Sequence, residues 1–336
     1  MHLRGETVVN NTKAFTAKDF FYKYGIYIIF VLLLVVFSFS NANFLTADNI
    51  LMILKQAAPL GIAVTGMVFV LILAGIDISA GQNMFLSAYV VAVFVDSMSK
   101  AGVDPSSGGV VFGAIALALL VGAGIGSLNG FLIARFNMVP FIVTLATQGI
   151  ARGLALLISN SKVMPIAELG KIVNTNVFGV VPVVIIILAV VIFLFDFLLR
   201  RTPFGRRLMA IGNDKIAAAN IGLKVRKNTF MAYLICGILC AFAGVLSAAQ
   251  ISTVAPTFAN GNEFIVISSA VLGGVSLFGG KGNIFPGALI GIILVTTIVN
   301  GLTMMNADPY IYTIVRGLII FVAVMLDSVN YKGRLS

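Results

Sequence analysis

Few side chains in this chain are suited to making or breaking bonds, and their spacing argues against it. The only histidine is His2, in a polar tail, so no imidazole is placed to act as a general base. Cys236 and Cys240 stand four apart in an apolar run, on one side of a helix. Two thiols without further ligands do not hold a metal, and packing is their expected role. The run from Gly274 to Lys281 looks like a phosphate-cradling loop, but the pattern G-x-x-x-x-G-K-[ST] fails. Val275 stands where the first glycine belongs, and Gly282 where the magnesium-binding hydroxyl belongs. The expectation is no catalytic residue, no metal, no cofactor and no ATP hydrolysis by this chain alone.

The remaining polar chemistry is of a kind that binds. Two glycine-broken stretches, Ala74 to Asn83 and Gly273 to Asn283, interrupt apolar runs. Non-helical backbone at membrane depth survives only where it lines protein or water, and paired breaks in two halves of a transporter point to its pathway. Asp77, Ser79, Gln82 and Asn83 in the first break, and Ser276 in the second, are therefore candidate pathway residues. So are Asn129 and Gln148 within spans, with Arg152 beside them, and Glu263 at the edge of a span. Each has a plainer alternative. The breaks read equally as turns between helices, Asp77 as a cap on the next helix, Glu263 as a solvated edge residue, and the amides as interhelical glue.

The elements that must position these groups are set by composition. With 60% hydrophobic and 10% charged residues, the chain falls outside the soluble class. Ten apolar runs follow one another: 24–40, 58–76, 80–98, 109–134, 140–158, 179–199, 229–253, 263–277, 283–303 and 309–327. The fold expected is all-α: a polytopic membrane protein of about ten transmembrane helices, some short and glycine-broken. It comprises a tail over 1–23 and one transmembrane domain over 24–336. The Ser40-Asn41-Ala42 triplet has signal-peptidase spacing, but the polar lead is long for a signal, and an uncleaved first span is expected. The net charge of +10 does not imply nucleic acid, since the cations sit at the ends of apolar runs and form no aromatic-bearing basic face. Alternating the spans puts sixteen of 22 Lys and Arg on one side and four on the other, with Arg152 and Arg316 inside spans. The positive-inside rule then makes both termini cytoplasmic. Glycine spacings at Gly122–Gly126–Gly130 and Gly287–Gly291 allow close helix approach, read first as packing within the chain and second as a seam between copies.

One polar island cannot enter the bilayer. Residues 200–228 hold eight of the 22 cations and fall on the cytoplasmic side. Within them Asn213 or Asp214 suits a helix N-cap, Ala217 to Ala219 favour helix, and Gly222 stops it. The rod is about 10 Å long. Its alanines form a narrow face between Ile216 and Ile221, and apolar residues so placed call for a partner surface. The alternative is a basic loop lying on anionic membrane lipid.

Three motifs in order then carry a resemblance across most of the chain. They are Gly75-Ile76-Asp77-Ile78-Ser79-Ala80-Gly81; the stretch with Thr202, Phe204, Gly205, Arg206, Ala210, Ile211, Gly212, Ala217, Ala218 and Gly222; and Leu272 to Gly282. Together they resemble the membrane permeases of bacterial ABC importers for simple sugars, of the ribose, xylose and galactoside type. The resemblance implies a transport subunit without enzymatic activity, in the cell membrane, paired with a second copy or relative. A cytoplasmic ATPase would dock at Gly212, Asn213, Asp214, Ala217, Ala218, Ile221 and Gly222, and an extracytoplasmic binding protein would deliver a monosaccharide. Two departures stand out: Ile265 replaces an acid common in the family, and Gly212-Asn213-Asp214 replaces Gly-Gly-Asn. Competing readings are an ABC permease for a nucleoside, an autoinducer sugar or a branched-chain amino acid, and an ion-coupled secondary transporter with Asp77 as its engine.

Overall fold

The computed structural model describes residues 17–177 and 179–335. Most of the expected 1–23 tail lies outside the described residues, and helix α1 begins at Ala17 and runs to Ser40. After it come α2 (Ala47–Ile72), α3 (Ala80–Lys100), α4 (Gly108–Phe136), α5 (Pro140–Ser159) and the short α6 (Ala167–Val173). The second part holds α7 (Val183–Arg201), α8 (Pro203–Asn213), α9 (Lys215–Asn220), α10 (Val225–Ile251), α11 (Asn262–Leu272), α12 (Leu289–Met304) and α13 (Pro309–Leu335). Two minimal antiparallel pairs complete it: β1 (Met164–Pro165) with β4 (Thr253–Val254), and β2 (Asn176–Val177) with β3 (Val181–Pro182).

Each of the ten apolar runs falls on a helix, and among the described residues six helices are long and apolar enough to cross a membrane: α2, α4, α5, α7, α10 and Ile284–Met304. Hydropathy misplaces several ends because caps, not apolarity, set them. Helix α2 starts eleven residues before its apolar run, where the Thr46 hydroxyl accepts from the Asn49 amide at 3.4 Å. Helix α11 stops at Leu272, five residues short of its run, because Gly274, at φ +88°, lets the chain turn away. The polar island is not a loop holding one rod but two helices, α8 and α9. Thr202 caps α8, accepting from the Phe204 amide at 3.2 Å, and Pro203 fills the first helical position, where its missing N–H costs nothing.

Helix α10 is the axis, packed on α4, α2 and α3. The α4 contact is close because Gly122, Gly126 and Gly130 face it. A Cβ at any of them would meet the α10 backbone at Gly237, Tyr233 or Phe230. The Gly287–Gly291 spacing is likewise used inside the chain, against Gly273 and the Ser269 carbonyl. Helix α2 is buried continuously from Val64 to Ile72. By contrast α4, α5 and α7 turn large apolar residues outward, among them Leu120, Phe131, Ile150, Leu157, Phe193 and Leu194. An apolar exterior on that scale calls for lipid or another apolar surface.

Contacts between connections define two ends. At one, the Gly280 amide donates to the Ile72 carbonyl at 2.8 Å and Lys215 Nζ to Asn137 Oδ1 at 2.7 Å. At the other, Asn41 Nδ2 donates to the Met304 carbonyl at 3.1 Å and the Ile166 amide to the Ser252 carbonyl at 2.9 Å.

Candidate functional site

The polar island folds against the first of these ends. Asp214 ends α8 and caps α9, its Oδ1 accepting from the amides of Ile216 at 2.8 Å and Ala217 at 2.9 Å. The cap choice left open between Asn213 and Asp214 falls to Asp214. Gly222 closes the rod with φ +84°, while the Leu223 amide returns to the Ala218 carbonyl at 3.1 Å. That left-handed turn is the reason for glycine there.

The alanine face differs from expectation. Ala218 is buried, 3% exposed, whereas Ala217 and Ala219 face outward and Ile216 and Ile221 are 76% and 75% exposed. Successive helical residues are rotated by about 100°, so three consecutive alanines cannot share one face. The outward surface of α9 is therefore isoleucine-flanked, and Ala218 belongs to the seam with the body of the molecule.

Gly212 lies at the point of closest approach. A Cβ there would overlap the Ile72 carbonyl and crowd the Gly280 amide, and one on Gly279 would meet the Gly212 carbonyl and Ala74. Gly280 in turn faces the Asn213 side chain. The end of α8 thus meets the end of α2 and the second glycine break, and that break meets the first at Ala74. The non-helical backbone spans 73–79 and 273–283; Ala80 to Asn83, assigned to the break from sequence, form the first turn of α3.

Beyond the junction the candidate polar residues sort into groups. Asp77 is buried, and its Oδ1 accepts from the Ser79 amide at 3.0 Å and the Ser79 hydroxyl at 2.5 Å. Asn129 Nδ2 donates to that hydroxyl at 2.9 Å, and its Oδ1 accepts from Thr147 at 2.7 Å. Asp77 therefore does not cap α3 as the sequence allowed. It orders Ser79, the residue that precedes the helix, and joins α3 to α4 and α5.

A second group ties α3, α5 and the 255–261 connection to α11. Gln148 Nε2 donates to Glu263 Oε1 at 3.1 Å. Arg152 Nη1 reaches Gln82 Oε1 at 3.4 Å and Asn260 Oδ1 at 3.3 Å, with its guanidinium 5.6 Å above the Phe85 ring. Glu263 is not a solvated edge residue: it is 3% exposed, and its Oε2 sits against Gly81 without a hydrogen-bond partner among the described residues. The connection dips inward and carries the carboxylate to the start of α3.

Asn83 and Ser276 join neither group. Asn83 Nδ2 donates to the Gly237 carbonyl at 2.9 Å, and Ser276 Oγ donates to Asp327 Oδ2 at 3.3 Å. Sequence reasoning missed Thr147, Asn260, Arg316 and Asp327. Thr147 was within reach, since Thr144, Thr147, Gln148 and Arg152 form one polar stripe at helical spacing.

The sequence that folds in this way matches a known family. Residues 49–324 match the family described as branched-chain amino acid transport system / permease component. The chain belongs to this family. The permease is similar to a ribose import permease protein of Bacillus subtilis strain 168, 38% identical over 91% of this chain and 92% of that one. It is also similar to a D-allose transport system permease protein of Escherichia coli K12, 34% identical over 98% of each chain. A galactose/methyl galactoside import permease protein of Salmonella typhimurium is 34% identical over 92% of this chain and 95% of its own. These relatives bear out the resemblance carried by the three motifs. No solved structure gives a significant match. With six helices among the described residues able to cross, the permease is a multi-pass protein of the cell membrane.

Proposed function

We propose that this chain is the membrane subunit of an ATP-binding-cassette importer for a simple sugar, driven by a separate cytoplasmic ATPase that docks on α8 and α9. The observation that carries the reading is the junction at Gly212, where the end of α8 touches the end of α2 and the second glycine break. A force applied to the outward face of α9 has a short route into the transmembrane helices. Exposed Ile216 and Ile221 supply the apolar contact for the ATPase, and Asp214 and Gly222 hold the rod's length and exit. The relatives import or transport ribose, allose and galactosides, all polyols. Such a solute needs closely spaced donors and acceptors, and the amide, carboxylate and hydroxyl groups around Asp77, Ser79, Gln82, Asn129, Gln148 and Glu263 provide them.

The finer architecture follows from charge and surface. Ten crossings with cytoplasmic termini leave sixteen cations inside and four outside. The chain acts as one transmembrane domain and carries no enzymatic step of its own. A second copy packs along α5, where Gly149 and Gly153 face open space and so can admit another helix closely. A binding protein delivers solute at the face opposite α9.

The test is uptake of labelled ribose, allose and galactose into liposomes containing the permease with its ATPase, with binding protein added outside. Transport should require all three proteins and ATP. Accumulation by the permease alone, driven by an ion gradient, would overturn the assignment.

A further inference from the structure

We propose that Asp327 is a positioning residue of the transport cycle, fixing the 273–283 connection to α13 so that displacement at Gly212 and Asn213 moves α11, α12 and α13 together. This rests on the reading of α8 and α9 as the ATPase-docking element. Asp327 lies far along an apolar helix and is 8% exposed, a costly place for an acid. Its Oδ2 accepts from the Leu277 amide at 2.7 Å and from the Ser276 hydroxyl at 3.3 Å. A carboxylate accepting from a backbone amide makes one of the stronger and more directional hydrogen bonds available. The same hydroxyl accepts from the Phe278 amide at 3.3 Å, and the Ser276 amide closes the connection on the Lys281 carbonyl at 3.0 Å.

The connection is therefore held at three places. Asp327 fixes it to α13, the Ile72 carbonyl fixes Gly280 to the end of α2, and Gly279 and Gly280 abut Gly212 and Asn213. Glycines at 273, 274, 279, 280 and 282 would otherwise let the backbone give way locally. With the clamp made, a push on α8 is passed on; without it, the loop deforms and the push is lost. Ser276 belongs on this account to the clamp and not to the solute path.

The experiment compares Asp327→Ala with Asp327→Asn in the complete transporter reconstituted with its ATPase and binding protein, measuring solute moved per ATP hydrolysed. Asp327→Ala should retain the ATPase on purification and keep hydrolysis near wild type. Its solute moved per ATP should fall about tenfold, the equivalent of ~1.4 kcal/mol. Asp327→Asn keeps an oxygen for the Leu277 amide and should recover most of that ratio. Hydrogen exchange at Leu277 should quicken in Asp327→Ala only. An unchanged ratio in Asp327→Ala, or Asp327→Asn as impaired as Asp327→Ala, overturns the proposal. If Asp327→Ala does not reach the membrane, Ser276→Ala, which spares the Leu277 bond, must lower the ratio, and an unchanged ratio there overturns it too. Loss of the ATPase from the wild-type permease would instead sink the docking reading beneath it.

Discussion

Replacing Ile216 and Ile221 together by alanine separates docking from folding more cleanly than any other change on α9. Both side chains are three-quarters exposed, so their truncation removes little contact within the chain, and alanine is the better helix former. Each substitution deletes three carbons. At about 0.8 kcal/mol per buried methylene, scaled by the exposed three-quarters that a partner can cover, each is worth about 1.8 kcal/mol to a docked ATPase. Both together come to about 3.6 kcal/mol, or roughly 400-fold in dissociation constant if the partner covers them fully. The assay is titration of purified ATPase against the permease in nanodiscs, with thermal unfolding of the permease alone as control. Expected are a large loss of affinity, a parallel loss of ATP-driven uptake and an unmoved unfolding midpoint. Affinity equal to wild type would show that the outward face of α9 is not the docking surface.

Other expectations follow from close contacts. Gly212→Val should destabilise the permease and uncouple it, because its Cβ enters the space of the Ile72 carbonyl and threatens the bond to Gly280; the cost is about 1–3 kcal/mol, read from thermal unfolding in detergent. Gly81→Ala should be harmful through Glu263, whose carboxylate occupies the space a methyl would need. Adding Glu263→Ser should restore part of the loss, and the double-mutant cycle should be non-additive by about 0.5–3 kcal/mol. Gly149→Leu with Gly153→Leu should leave the monomer's unfolding unchanged, since both sites are open, yet lower the dimer fraction measured by light scattering.

The ordinary parts of this fold were legible in the sequence because bilayer burial writes itself as long apolar runs. The α9 rod was legible too, since Asp214, three alanines and Gly222 are strong local signals. Helix α8 was not, because its amphipathic residues sit in a highly charged stretch where hydropathy reports only polarity. Yet Thr202-Pro203 is a start signal at the level of single residues. The site was harder to read for a different reason. Asp77, Asn129 and Thr147 lie on three separate elements, and nothing in their local spacing says that their side chains meet. Glu263 looked like an edge residue because it follows the polar Asn260-Gly261-Asn262. The inward course of that connection is a tertiary fact, visible only as the niche left at Gly81.

A buried amide or carboxylate left without a partner costs about 1–3 kcal/mol, more than a satisfied one contributes, so buried polar groups tend to be met by one another. In the state described, most are met by one another: Asp77 by Ser79, Asn129 by Thr147, Gln148 by Glu263. The bonds among Gln82, Asn260 and Arg152 are long, at 3.3 to 3.4 Å, and Glu263 Oε2 and Arg316 Nε have none among the described residues. The two groups therefore differ in how readily they exchange partners. On the proposed function, the weaker bonds of the group around Glu263 make it readier than the tight group around Asp77 to exchange partners with a sugar's hydroxyls. A sugar that replaces those weak bonds with its own would do so at little net cost, the condition that the proposed solute path must meet for release.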